Sequence, residues 1–315
     1  MKSTAKLLCL LLTLCLLLGL TACGSETKSA AEATTATETA STEQETTEES
    51  ALAETTAAAA EDLTLAETTL VDTDDCTVIA KAYRTDEFWG PTIQLYLENK
   101  TSDRTLMFAI DGASVDGVMC DPFWAEEVAA GKKSNSDVSW STSTLAENGI
   151  LYLQNAEFTI RVYNSDDYSA EDLVDQPCSL SLEGGKGEAV SAPDFDFPEQ
   201  VLADGPDVKA VVKDFEPDGD LGPTLVLYLE NSTDKTLMFS ADNTSVNGFL
   251  CDPCWTTTVA AGKVAYVQMS FGECDLSANG ITAFQAVEFT LKAYDNDDWS
   301  ADPLLDSLVT VNLGA

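Results

Sequence analysis

Histidine is absent from this 315-residue chain, and that absence removes several mechanisms at once. A Ser-His-Asp triad, a Cys-His pair and a His-ligated zinc or haem cannot be assembled from one copy. Basic residues are scarce: 16 Lys and Arg stand against 54 Asp and Glu, for a formal charge of −38. Every part of the chain is net acidic, so its surface repels phosphate backbones and anionic headgroups, and nucleic acid is not an expected partner. Aromatic residues are missing from Met1 to Val71, whereas all 5 Trp and 12 Phe lie beyond that point. A large core must be built there, and the length and 44% hydrophobic content suffice for about two domains.

What the N-terminus does contain is an export pattern. Lys2 and Lys6 precede the apolar run Leu7 to Leu20, interrupted by Thr13, and small residues follow. The run is shorter than the roughly 20 residues a membrane-spanning helix needs. It ends Leu20-Thr21-Ala22-Cys23-Gly24, which resembles the bacterial lipobox. That resemblance implies cleavage before Cys23 and acylation of its thiol, with each buried methylene contributing about 0.8 kcal/mol to anchoring. Residues 1–23 are thus expected to be a lipoprotein signal peptide, and the membrane a partner through lipid on Cys23. The expected location is the extracellular face of a cell membrane, in a Gram-positive style of envelope. From 24 to 71 the composition collapses to Thr, Glu, Ala and Ser. Such a stretch buries too little apolar surface to offset chain entropy and is expected to be a disordered tether, with a reach of about 40 Å.

Beyond the tether the chain repeats itself. Gly90-Pro91-Thr92 and Tyr96-Leu97-Glu98-Asn99 recur as Gly222-Pro223-Thr224 and Tyr228-Leu229-Glu230-Asn231. After a one-residue deletion, Cys120-Asp121-Pro122 with Trp124 returns as Cys251-Asp252-Pro253 with Trp255, and Val128 to Lys132 returns as Val259 to Lys263. The copies are placed at 72–184 and 202–315, with the Gly-, Pro- and charge-rich stretch 185–201 as linker. Within each copy, short runs alternate at period two, as in Thr92 to Glu98 and Phe158 to Tyr163. Asp116-Gly117 and Asn247-Gly248 sit between apolar runs, where a type I′ turn joins hairpin strands. About seven strands per copy are expected, with short helical turns at Thr144 to Gly149 and Ser169 to Asp172. The predicted fold class is all-β: two tandem immunoglobulin-like antiparallel β-sandwich domains after a signal peptide and tether. Residues 72–315 resemble the tandem immunoglobulin-like modules of uncharacterised lipoproteins from Gram-positive, gut-type bacteria. The resemblance is carried by Ser114-Val115-Asp116-Gly117, Cys120 to Trp124, Val128 to Lys132 and Tyr163 to Asp167. It implies fold and address only.

Cys120 and Cys251 are equivalent and read as small buried apolar residues. Cys76 and Cys178 occupy positions held by Val208 and Val309, in what read as the first and last strands, and are candidates for a disulfide between them. Cys254 and Cys274 are candidates for a second. The C-x-x-C spacing of Cys251 and Cys254 lacks a second pair and is a weak metal or redox signal. Asp166 and Asp167, with Asp295, Asp297 and Asp298 in the other copy, supply the oxygen ligands calcium takes; solvated acidic turns are the standing alternative. Phe88 and Trp89 have no counterpart in the second copy, and form either a local hydrophobic plug or a contact surface.

No residue pattern marks a catalytic site. The expected function is a non-enzymatic cell-surface module that contacts a protein or glycan ligand. The competing reading is a carboxylate-based hydrolase acting on envelope or extracellular glycans. A transporter's solute-binding component would need alternating strands and helices in two larger lobes, and that pattern is missing.

Overall fold

The computed structural model describes residues 63–314 apart from Glu87, and omits the side chains of Glu273 and Cys274. The signal, Cys23 and the tether as far as Asp62 lie outside the described residues. Both copies belong to one unit and are all-β, and each carries one short helix.

Copy 1 contains nine strand segments: β1 (Thr68–Asp72), β2 (Cys76–Asp86), β3 (Gly90–Asn99), β4 (Leu106–Val115), β5 (Val118–Met119), β6 (Ala125–Val128), β7 (Lys133–Ser139), β8 (Asn155–Asn164) and β9 (Val174–Ser181). Helix α1 (Thr142–Glu147) lies between β7 and β8. Copy 2 repeats the order as β10 (Gln200–Asp204), β11 (Val208–Glu216), β12 (Thr224–Asn231), β13 (Leu237–Val246), β14 (Phe249–Leu250), β15 (Thr256–Val259), β16 (Val264–Ser270), α2 (Glu273–Ala278), β17 (Ala286–Asp295) and β18 (Leu305–Asn312).

Alternation explains the strands. In β3, Ile93, Leu95 and Leu97 are buried while Gln94, Tyr96 and Glu98 are only half-covered, as expected of a pleated sheet with one face on the core. The order β1-β2-β3-β7 forms one sheet of copy 1, and β5-β4-β8-β9, with β6 added to β4, forms another. Side chains from both meet in one hydrophobic cluster that includes Leu95, Leu97, Phe108, Ile160 and Trp140. Copy 2 has its own cluster around Leu227, Leu229, Phe239, Phe289 and Leu291. The turns after β4 and β13 have positive φ at both central residues, 48° and 88° at Asp116-Gly117 and 52° and 84° at Asn247-Gly248. That is the type I′ geometry their sequence predicts.

Several expectations need correction. Each copy has nine strands where about seven were expected; β5 and β14 are the hairpin strands after the two turns, only two residues long, and β1 and β10 were not foreseen. Leu63, Leu70 and Val71 are buried in core 1, and Thr64 exchanges backbone hydrogen bonds with Glu183. Residues 63–71 therefore belong to the fold, not to the tether, because three apolar side chains at its end find a core. The linker is tied down as well: Leu151 N–H donates to Ala189 O and Ser191 N–H to Gly149 O, each at 2.8 Å. Helix α1 is capped by Ser141, whose Oγ accepts from Thr144 N–H at 3.0 Å, so it begins two residues before the turn expected at Thr144. Ser169 to Asp172 forms a turn only, since Ser169 is bonded back to Asp167.

The copies are joined edge to edge. Strand β5 of copy 1 pairs in parallel with β16 of copy 2 at Val118 and Val264, and Val264 N–H donates to Gly117 O at 3.0 Å. One sheet thus runs β10-β11-β12-β16-β5-β4-β8-β9 across both copies. Lys263 Nζ meets Glu157 Oε1 at 2.5 Å beside this seam. Apolar groups cross it in both directions: Met119 packs against core 2, and Val264 and Tyr266 against core 1.

Candidate functional site at the junction

The seam leaves a cavity of about 700 Å³ between the copies, within the size range of small-ligand sites. The β5 hairpin and the end of α1 supply Met119, Cys120, Asp121 and Glu147; the linker supplies Phe195; β15 and β16 supply Thr256 and Tyr266. Trp255 forms part of the wall, and Phe123 lies at the rim, 96% exposed. No Lys or Arg is among the described residues that line it, while Asp121, Glu147 and Glu216 are.

Local chemistry explains how the walls are set. Asp121 Oδ1 accepts the N–H of Phe123 at 2.9 Å, which closes an Asx turn and holds Phe123 at φ 50°. Asp252 does the same for Cys254, with φ 49°. Atoms packed around Asp121 push its carboxyl above the ordinary value although the side chain keeps solvent contact, because a crowded carboxylate loses hydration. The Phe195 ring lies tilted against Tyr266 at 6.1 Å between centroids, and Tyr266 is tilted against Tyr228 at 5.4 Å. These rings make an aromatic floor beside the opening.

Trp124 and Trp255 are equivalent, but their surroundings differ. The Trp124 indole N–H donates to Ser136 Oγ at 3.0 Å, whereas Val267 stands at the corresponding place in copy 2 and offers no acceptor. Both Trp255 and Val267 line the cavity. Asn148, nine-tenths buried in the same wall, donates through Nδ2 to Thr144 O at 2.8 Å while its Oδ1 lacks a partner.

The structure separates the other predicted residues from this site. Cys76, Cys178 and Cys254 are free thiols, and the Cys274 side chain lies outside the described residues. The candidate Cys76–Cys178 bridge is not formed, and β2 is not the outer strand. Strand β1 lies outside it, and Cys178 Sγ faces Leu70 O of β1 at 3.9 Å, while Cys76 Sγ bonds to Thr73 Oγ1. Cys254 sits exposed at its left-handed turn. Burial pushes the Cys120 thiol up to about 12, in keeping with its reading as an inert core residue.

The acidic loops are engaged locally. Asp167 Oδ1 accepts from Ser169 N–H and Oγ, and Asp298 Oδ1 from Ser300 N–H and Oγ. Asp295 pairs with Lys235 Nζ and accepts the N–H of Asp297, and the lysine holds its carboxyl below the usual range. Asp166 and Asp297 are not drawn into a shell with them: among the described residues no group of three or more His, Cys, Asp or Glu is arranged to hold a metal. Phe88 and Trp89 stand on the β2–β3 turn, 80% and 62% exposed, with their rings T-shaped at 4.7 Å. Asp86 Oδ1 accepts both of their N–H groups. They form an exposed edge-to-face ring pair and are not plugged into either core, so the local-plug alternative does not hold.

Sequence reasoning missed the junction cavity. Its signal was present: β7 reads Lys-Ser-Asn-Ser-Asp-Val-Ser where β16 reads Val-Ala-Tyr-Val-Gln-Met-Ser. An edge strand that turns apolar in one copy only has something to cover it. Fold and cleft together define an all-β chain of two joined repeats with a ligand-sized opening at their seam. No protein-family model matches this chain, and no curated protein matches it.

Proposed function

We propose that this chain is a lipid-anchored extracellular binding protein, non-enzymatic, built from two immunoglobulin-like β-sandwiches that hold a ligand in their junction cleft. The observation that carries the reading is the cleft's lining: aromatic rings and three carboxylates with no basic group. Carboxylates in an aromatic setting repel anions and favour a neutral or cationic group, through hydrogen bonds, stacking and cation–π attraction. The ligand class is therefore an uncharged or amine-bearing segment of a glycan or protein. The sandwich assignment is supported by two sheets contributing to each core and by the repeated strand order. The anchor is supported by the lipobox-like run ending at Cys23.

Binding is tested on glycan and peptide panels with the wild type and with Phe123→Ala and Asp121→Asn, both at the rim and outside the cores. Each substitution is expected to weaken the retained ligand about tenfold, or roughly 1.4 kcal/mol, with the melting temperature unchanged. Turnover of a panel glycan would replace this reading with the carboxylate hydrolase. The anchor has its own test: Cys23→Ser is expected to abolish metabolic labelling by a fatty acid and to shift the protein from the membrane fraction to the medium. Undiminished labelling would refute it.

A further inference from the structure

The two copies carry the same hairpin in opposite states. In copy 1, Val118 is 3% exposed and Met119 packs on core 2, because β5 is seated on β16. In copy 2 the equivalents, Phe249 and Leu250, are 51% and 77% exposed, and β14 ends its sheet with an unpaired edge. In copy 1, β7, the counterpart of the acceptor strand β16, is also a free edge. One docking element and one docking edge are thus left over.

We infer that the β14 hairpin docks on the β7 edge of a second copy of this chain, in the manner in which β5 is seated on β16. The internal seam is the template, and two of its three elements are preserved. Its main-chain bond, from Val264 N–H to Gly117 O, corresponds to Lys133 N–H donating to Gly248 O of the other copy. Its ion pair, Lys263 with Glu157, corresponds to Lys132 with Glu288. Both of these residues are exposed, and neither has an ion-pair partner among the described residues. Lys132-Lys133 is the only adjacent pair of basic residues in a chain of charge −38, and although Lys133 is paired with Glu98, Lys132 is left to draw the Glu288 carboxylate that lies on β17 beside the β14 hairpin.

The third element changes. Phe249 and Leu250 present a larger apolar surface than Val118 and Met119, but Asn135 stands where Tyr266 stands in the template. The contact between chains is consequently weaker than the internal seam. It is also heterologous: each chain offers one hairpin and one edge, so association gives open rows and not closed dimers.

The test is sedimentation of the chain from Gly24 onward, which keeps every residue of both cores. The expected result is an average mass that rises with concentration without a plateau at the dimer, with Kd on the order of 100 µM. Lys132→Glu and Glu288→Lys are each expected to weaken association at least tenfold, and the double variant to recover it. Leu250→Asp is expected to leave a folded monomer by circular dichroism. A monomer throughout the range would overturn the inference, and so would association indifferent to both charge reversals, which would mean that hairpins pair with hairpins.

Discussion

Alanine at Asn99 is expected to lower the unfolding free energy by about 3 to 4 kcal/mol, because the amide satisfies several buried groups at once. Its Nδ2 donates to Arg104 O at 2.9 Å and Val128 O at 2.7 Å, and its Oδ1 accepts from Thr101 N–H at 2.9 Å and Thr101 Oγ1 at 2.6 Å. The residue is 1% exposed, so water cannot take over those bonds. Copy 2 provides the control. Asn231 makes the same contacts with Lys235 O, Val259 O and Thr233, and Asn231→Ala is expected to cost a similar amount. Chemical denaturation of both variants reads the effect, and a loss below about 1 kcal/mol at either site would show that the network is not what closes the end of the strand.

Gly149→Ala and Gly280→Ala form the second large contrast. Both glycines follow a short helix with φ +68°, so alanine meets the left-handed penalty of about 1 to 2 kcal/mol in each copy. Nothing lies within 4 Å of a Cβ at Gly280, and the cost there stops at that penalty. At Gly149 the added carbon would sit 2.0 Å from Ser191 O and 2.8 Å from Pro193 Cδ. The linker must then leave its dock, losing the bond from Ser191 N–H to Gly149 O. A difference of about 2 kcal/mol between the two variants is expected in denaturant midpoints. Equal costs would mean that the linker rests on the helix end without holding it.

The strands that could be read from sequence were those long enough to show a period. Phe158 to Tyr163 alternates over enough residues to announce β8, and Asp116-Gly117 marks the β4–β5 hairpin because few residues tolerate two positive φ angles in succession. The same turn signal announces β5, which pairs with β4 across it, but Val118-Met119 is too short to have a period and nothing in it marks the seam it makes with β16. Strand β1 was hidden differently, since Thr68 and Thr69 continue the composition of the preceding stretch and only Leu70 and Val71 depart from it. Missing β1 also bears on the candidate cysteine pairing, because Cys178 Sγ faces Leu70 O of that strand and not Cys76. The aromatic pair at Phe88 and Trp89 was legible as a difference between copies. The cleft was not, because it is assembled from residues of both copies and of the linker.

The seam has a mechanical meaning as well. Strands β17 and β18 are held by a register of eight residue pairs, from Ala286 with Asn312 to Ala293 with Leu305, while the repeats share a single parallel bridge. Tension applied between the first and last strands of the unit is therefore borne by that bridge, by Lys263 with Glu157 and by the packing of Met119, Val264 and Tyr266 across the seam. Under traction the halves are expected to part first, opening the cleft before either pair of sheets begins to unravel.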